Sequence, residues 1–230
     1  MRPSAPSLNA TNAAPKSNPR RLWGLVLLLV TTLLNSACGS RNIELTNSFP
    51  VPLIQPVPAA IGVHLPPELL NFTHAESLGN DSVAISVGGV QQRLFQRLSG
   101  AAFADMVMLE GLQPMPDLDG ILEPEIKDFQ LSTPAQTRSD YYEVWIRFQL
   151  HLYDSEANLV GSIDLPAYGK ANKNNFGNIS NGLYAATVAA CRDAMAYFSL
   201  NFRREPLFKQ WLAKPPNTSP VNGVQPGDPS

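Results

Sequence analysis

The sequence predicts an α+β domain: a two-layer sandwich in which a mainly antiparallel sheet carries two helices packed on one face. Strict alternation of apolar and polar residues over 141–153 is typical of a half-buried strand. A second alternating run, 159–165, follows a short turn and completes an antiparallel hairpin. Apolar residues spaced three and four apart over 89–102 and 181–202 predict two amphipathic helices. Helices kept apart from the hairpin in sequence favour an α+β over an alternating α/β architecture.

The remaining elements are predicted from shorter runs. Strands are expected at 61–65, 83–87, 106–109 and 121–131. Pro66 and Pro67 end the first of these, and the glycine pair 88–89 turns the chain into the first helix. Residues 169–177, rich in Asn and Lys, are expected to form a polar loop, and residues 207–212 a short terminal turn or helix.

The apolar face of the 141–153 strand defines the predicted core. Its members are Val144, Ile146, Phe148, Leu150 and Leu152. We expect them to pack against the apolar stripes of the two helices, which include Leu94, Leu98, Val188, Met195 and Phe198. Cys191 lies on the same stripe, so a small core residue is favoured over a nucleophile or redox thiol.

Composition excludes several classes of protein. A formal net charge of -2 excludes a generally basic nucleic-acid binder. Two cysteines exclude a disulfide-dense scaffold and a four-cysteine zinc site, and three widely separated histidines leave little material for a metal centre. The zinc-protease, nucleophile-elbow and phosphate-loop motifs are all absent. We therefore expect no cofactor, no metal, no catalytic residues and no enzymatic activity.

The N-terminal region has the organisation of a secretory signal peptide. Residues 1–21 contain four basic residues and no acidic one, and residues 22–34 are uncharged and strongly apolar. That run is shorter than the about 20 residues that span a bilayer. Residues 36–38, Ser-Ala-Cys, resemble the lipobox of bacterial lipoproteins. The alternatives are an ordinary signal peptide followed by an unrelated cysteine, or an uncleaved anchor.

The lipobox resemblance implies a specific maturation. Residues 1–37 would be a removed signal peptide, and Cys38 would become the N-terminus, carrying a diacylglyceryl group and an amide-linked acyl chain. Gly39, where an inner-membrane retention signal would place Asp, implies the outer membrane. Prolines concentrated in residues 38–60 indicate an extended tether. Residues 61–213 then form the domain, and residues 214–230 a disordered tail.

The outward face of the 141–153 strand is the candidate binding site. Tyr141, Trp145, Arg147 and Tyr153 all lie on it. Aromatic residues and Arg are enriched at protein interfaces, so these four are predicted to bind a partner. The alternative is a face covered in part by the chain's own tether or loops, with aromatic residues paired across strands.

The whole pattern resembles a group of small bacterial envelope lipoproteins that includes the YajG-like and ABC-transport-auxiliary lipoproteins. The residues that carry the resemblance are the hairpin from Leu152 to Gly161 and the Ala-rich terminal helix, placed after a lipobox and a Pro-rich spacer. The resemblance implies a non-enzymatic accessory, assembly or transport-auxiliary component of an envelope machine, anchored to the outer membrane by lipid and facing the periplasm. Its partners would be other envelope proteins and a second copy of itself, not nucleic acid. The alternative is a lipid- or glycan-binding lipoprotein with a small-molecule cleft between helices and sheet.

Overall fold

The computed structural model describes residues 40–45, 49–79 and 81–213, and these form an α+β fold, as the sequence predicts. The predicted signal peptide, Cys38 and the predicted tail lie outside the described residues. The strands are β1 (Ser40–Glu44), β2 (Val57–His64), β3 (Thr73–Leu78), β4 (Asp81–Ser86), β5 (Phe103–Leu109), β6 (Gly120–Ser132), β7 (Tyr141–Tyr153) and β8 (Leu159–Asn172). The α-helices are α1 (Pro67–Leu70), α2 (Gly88–Ala102), α3 (Pro134–Thr137), α4 (Ile179–Asn201) and α5 (Pro206–Leu212).

The larger sheet has the strand order β5-β2-β6-β7-β8. Strands β5, β2 and β6 run parallel, whereas β6, β7 and β8 pair antiparallel over most of their length. Pro124 lies in β6 just beyond Leu122, the last residue that pairs with β2. Its missing N–H therefore costs no ladder hydrogen bond on that side.

The predicted core is confirmed. All five apolar-face residues of β7 and all five predicted helical residues are buried. The ring of Phe95 in α2 meets Phe148 edge-on, with 5.6 Å between centroids. Helix α4 crosses β8 at Gly169, where a Cβ would lie 2.0 Å from the carbonyl oxygen of Ala186. A glycine is needed here because helix and strand backbones touch.

A second sheet departs from the predicted single sheet. Strand β4 lies between β1, which is parallel to it, and β3, which is antiparallel. Strand β1 falls inside the predicted tether 38–60, and Ile43, Leu45 and Phe49 are buried in the core. The predicted domain boundary at residue 61 is therefore wrong, because the segment before β2 already pairs and packs.

The predicted polar loop 169–177 is also corrected. Strand β8 continues through Asn172, with Ala167, Gly169 and Ala171 facing the core and Lys170 facing outward. The inward residues are small because α4 lies directly over them. No helix in the described part of the chain is long and apolar enough to cross a bilayer.

Candidate functional site

The odd-numbered residues of β7 lie on the face of the larger sheet opposite the core, which we call the outer face. The ladders place Trp145 between Gln130 of β6 and Tyr168 of β8. The next register position places Arg147 between Asp128 and Pro166. Residues paired across strands share a face, so these two rows form one continuous surface.

Trp145 and Tyr168 form a fixed aromatic pair on this face. Their ring centroids are 5.2 Å apart, and the residues are 40% and 37% exposed. The Tyr168 hydroxyl donates a 2.6 Å hydrogen bond to Glu143 Oε1. This bond, with a smaller contribution from burial, raises the pKa of Tyr168 to about 12. The hydroxyl therefore stays protonated at neutral pH and holds the ring in place. We call Trp145 and Tyr168 the aromatic platform.

An open depression of about 440 Å³ lies beside the aromatic platform. It is lined by Asp128, Gln130, Arg147, Pro166, Asp193 and Tyr197 together with the platform. The Arg147 side chain is exposed and makes no ion pair or hydrogen bond with other described residues. Asp193 of α4 accepts a 3.0 Å hydrogen bond from the backbone N–H of Tyr168, which ties the platform to the helix. The depression thus combines exposed rings, one unpaired cation and fixed carboxylates.

The other two predicted interface residues do not line this depression. Tyr141 and Tyr153 are at opposite ends of β7, about 40 Å apart at the rise of an extended strand. Tyr153 is half-buried: its hydroxyl donates to Glu123 at 3.2 Å, and its backbone oxygen accepts from Trp211 of α5 at 2.6 Å. Burial, reinforced by Glu123, raises the pKa of Tyr153. Of the predicted four, Trp145 and Arg147 line the depression, whereas Tyr141 and Tyr153 lie at the ends of the strand.

Tyr168 is the platform residue that sequence reasoning missed. The sequence-based hairpin ended at residue 165, so Tyr168 had no register partner in the prediction. Extending the alternation of small residues at 167, 169 and 171 would have carried the strand onward and placed Tyr168 opposite Trp145.

A chain of hydrogen bonds crosses the same face nearer the other end of β7. His151 Nδ1 shares a 2.7 Å hydrogen bond with Ser162, and His151 Nε2 lies 2.9 Å from Glu125 Oε2. Lys127 contacts the same carboxylate at 2.8 Å, and Lys127 together with His151 lowers the pKa of Glu125. The order serine, histidine, carboxylate resembles that of a hydrolase triad, but the two ring nitrogens have exchanged partners, since a triad bonds its serine through Nε2 and its carboxylate through Nδ1.

The geometry around Ser162 favours a structural role for the hydrogen bonds that link Ser162, His151 and Glu125. Ser162 projects from a sheet face whose backbone N–H groups lie in the plane of the ladders, so they do not point at a group bound above it. Acyl transfer relies on such donors to stabilise the oxyanion. Among the described residues no cluster of three or more His, Cys, Asp or Glu side chains has the arrangement of a metal site.

The space between helices and sheet was the predicted location of a lipid or glycan cleft. There, a cavity lined by apolar residues such as Leu122, Phe198 and Phe208 has a volume of about 20 Å³. That is room for about one water molecule, whereas ligand pockets usually measure about 300–1,000 Å³. Cys191 of α4 is fully buried, and burial raises the pKa of its thiol to about 12. It is a core residue, as predicted.

Comparisons with known proteins give only distant likenesses. No family model matches the chain, and no curated protein matches it. A hypothetical protein from Chlamydia trachomatis is similar with a TM-score of 0.34 and 10% identity, over 61% of this chain and 96% of that one. A minor lipoprotein from Acinetobacter baumannii is similar with a TM-score of 0.32 and 12% identity, over 64% of this chain and 95% of that one. Likenesses at this level assign neither a family nor a function to the chain.

Proposed function

We propose that this chain is an accessory protein of the bacterial cell envelope, anchored by lipid to the outer membrane and facing the periplasm. In this role it binds another envelope protein and catalyses no reaction. The observation that carries the proposal is the aromatic platform of Trp145 and Tyr168, exposed beside an unpaired Arg147.

The platform has the physical properties of an interface centre. Trp, Tyr and Arg are the residues that most often dominate binding energy, because they bring large contact area and directed hydrogen bonds. The ring of Tyr168 is already held by Glu143, so little side-chain entropy is lost when a partner covers it. Arg147 has no ion pair within the described part of the chain to break on binding, so its guanidinium can pair with a carboxylate of the partner.

Binding is favoured over catalysis by the surroundings of the candidate nucleophiles. Ser162 has no oxyanion donors aimed above it, and Cys191 is buried with a raised pKa. The lipid-binding alternative is disfavoured because the cavity between helices and sheet is too small for an acyl chain.

Attachment to the membrane is proposed to depend on Cys38. Two or more acyl chains give stable anchoring without a basic surface, which suits a chain of slightly negative charge. Intact-mass analysis of protein from its native host should show an N-terminal Cys38 that carries acyl chains. Cys38→Ala should release the protein from membranes or leave it as an unprocessed precursor. An unmodified Cys38 in the native protein would contradict the anchor.

The interface is tested by site-specific photo-crosslinking in intact cells. A photoreactive residue at position 145 should trap one partner, whereas the same residue at the exposed position 200 of α4 should not trap it. Trp145→Ala combined with Arg147→Ala should abolish co-purification of that partner. The matched control removes an apolar residue and an arginine elsewhere, with Leu200→Ala and Arg192→Ala, and should keep the partner bound. Retention of the partner by the folded Trp145/Arg147 variant would overturn the proposed site.

A further inference from the structure

Strand β5 forms one edge of the larger sheet. It pairs with β2 on one side, and none of the described strands pairs with its other side. Backbone N–H and C=O groups on an open edge are a template for a further strand. The free edge of β5 is therefore suited to bind another extended strand.

The opposite edge of the sheet, β8, is less available for pairing, because a proline interrupts its N–H groups and helix α4 supplies a partner for one of them. Pro166 removes an N–H from β8, and the Tyr168 N–H is bonded to Asp193 of α4. In contrast, β5 has the sequence FADMVML with a single charged residue, Asp105. Val107 and Met108 are 43% and 36% exposed, on opposite faces of the strand. Edges that carry apolar residues and few charges are the ones prone to pair.

The direction of the free backbone groups follows from one hydrogen bond. The Met106 N–H donates to the carboxylate of its neighbour Asp105 at 2.8 Å, so this N–H points away from β2 and toward the open edge. Pairing with a second strand exchanges this exposed local bond for a bond to a backbone carbonyl of that strand. Because the direction of the backbone N–H and C=O groups alternates along a strand, those of Ala104 and Met108 also point toward the open edge. An incoming antiparallel strand must match its own outward residues to these three.

Two copies of β5 can match their outward backbone groups, and one antiparallel register does so best. With Met106 opposite Met106 of a second copy, Ala104 pairs with Met108, and all seven residues of β5 are matched. In this register each Asp105 lies opposite a Val107, so no like charges meet. A register centred on Asp105 would place the two Asp105 carboxylates opposite each other. A register centred on Val107 would leave Phe103 and Ala104 without partners in the other strand.

We propose that β5 pairs antiparallel with β5 of a second copy of this chain, centred on Met106, and so joins two five-stranded sheets into one. The contact is isologous, as most dimer interfaces are. It uses the edge of the sheet, so it is independent of the aromatic platform and of the lipid anchor. A single pair of strands buries less than the about 1,600 Å² of a standard interface, so the dimer depends on protein concentration.

The experiment compares two substitutions at one exposed position. In the proposed register, residue 107 of each copy faces Asp105 of the other. Val107→Asp therefore creates two pairs of like charge, whereas Val107→Lys creates two pairs of opposite charge. Both remove the same apolar side chain. Sedimentation of the purified protein over a range of concentrations should show a monomer–dimer equilibrium. Val107→Asp should raise its dissociation constant at least about tenfold, and Val107→Lys should leave it equal or lower.

A charge exchange and a crosslink complete the test. Asp105→Lys combined with Val107→Asp should restore the dimer. Met106→Cys should crosslink two copies under mild oxidation, since the cysteines then face each other, while Val107→Cys should not. A protein that stays monomeric at every concentration would overturn the proposal. Equal weakening by Asp and Lys at position 107, or a crosslink at 107 without one at 106, would do the same. Circular dichroism of each variant shows that it is folded.

Discussion

The two faces of β7 present large side chains in opposite environments: Phe148 is fully buried, whereas Trp145, three residues before it, is well exposed. Phe148 touches Phe95 of a helix, and Trp145 touches only its neighbour Tyr168 among aromatic rings of the described residues. One strand thus supplies the centre of the core and the centre of the candidate interface. The contribution of a large β7 side chain to stability therefore depends on the face it occupies and not on its size.

The largest expected effect is on the core face. Phe148→Ala should lower the free energy of unfolding by about 3–5 kcal/mol, because the cavity it leaves cannot be filled by the packed neighbours. A domain of this kind has about 5–15 kcal/mol to lose, so the variant should be close to unfolding. Denaturant titration measures the change. Trp145→Ala, a larger truncation on the outer face, should cost much less, and equal losses would refute the division between faces.

A smaller effect is expected where α4 touches β8. Gly169→Ala places a Cβ against the Ala186 backbone, so helix and strand must separate. We expect a loss of about 1–3 kcal/mol, typical of overpacking. The matched control is Gly89→Ala in the first turn of α2, where a Cβ would meet nothing within 4 Å. That change should be neutral or stabilising by up to about 1 kcal/mol. An unchanged free energy of unfolding in Gly169→Ala would show that α4 and β8 can separate at little cost.

Strands that the sequence predicted are those that carry several apolar residues of their own. In β7 every second residue is large and apolar, so both the strand and its buried face could be predicted. In β3 the sequence THAESL has no apolar alternation, because the strand is an edge with both faces half-exposed or exposed. Strand β1 has one buried residue, Ile43, and pairs with the distant β4. Neither carries a local signal, since their pairing depends on long-range contacts.

The candidate site could be predicted only within one strand. Alternation placed Trp145 and Arg147 on the outer face, but it could not tell that the hydroxyl of Tyr153 would bond to Glu123 of β6. That contact depends on the register between β6 and β7. The hydrogen bond from Tyr168 to Glu143 likewise depends on the register between β7 and β8. The local sequence pattern thus predicts which face of the sheet a residue occupies, whereas the residues that meet in one site depend on strand register and tertiary packing.

On the outer face, truncation should leave stability nearly unchanged. Trp145→Ala combined with Arg147→Ala should change the free energy of unfolding by no more than about 0.5–1 kcal/mol, the range for exposed positions. Thermal and denaturant unfolding should therefore match the parent protein while the crosslinked partner is lost. A large loss of stability would mean that Trp145 belongs to the fold rather than to an interface.

The smallest effect concerns the hydrogen bond that holds the aromatic platform. The pKa of Tyr168 is raised from the ordinary 10.0 to about 12, mainly by the bond to Glu143. Because the folded state holds this proton more tightly, the bond contributes its full stability below about pH 10 and loses it as the pH rises to about 12. The contribution is small, since the ring is partly exposed and solvent screens the carboxylate. Tyr168→Phe should therefore flatten the fall in stability between these pH values and reduce the late-titrating part of the tyrosinate absorbance by one tyrosine, leaving the part that belongs to Tyr153. The control is Tyr197→Phe, a similarly exposed tyrosine whose hydroxyl has no hydrogen-bond partner among the described residues. If Tyr168 ionises near pH 10 with the parent protein folded, Glu143 does not hold the ring, and the platform loses the preorganisation that distinguishes it from an ordinary exposed pair.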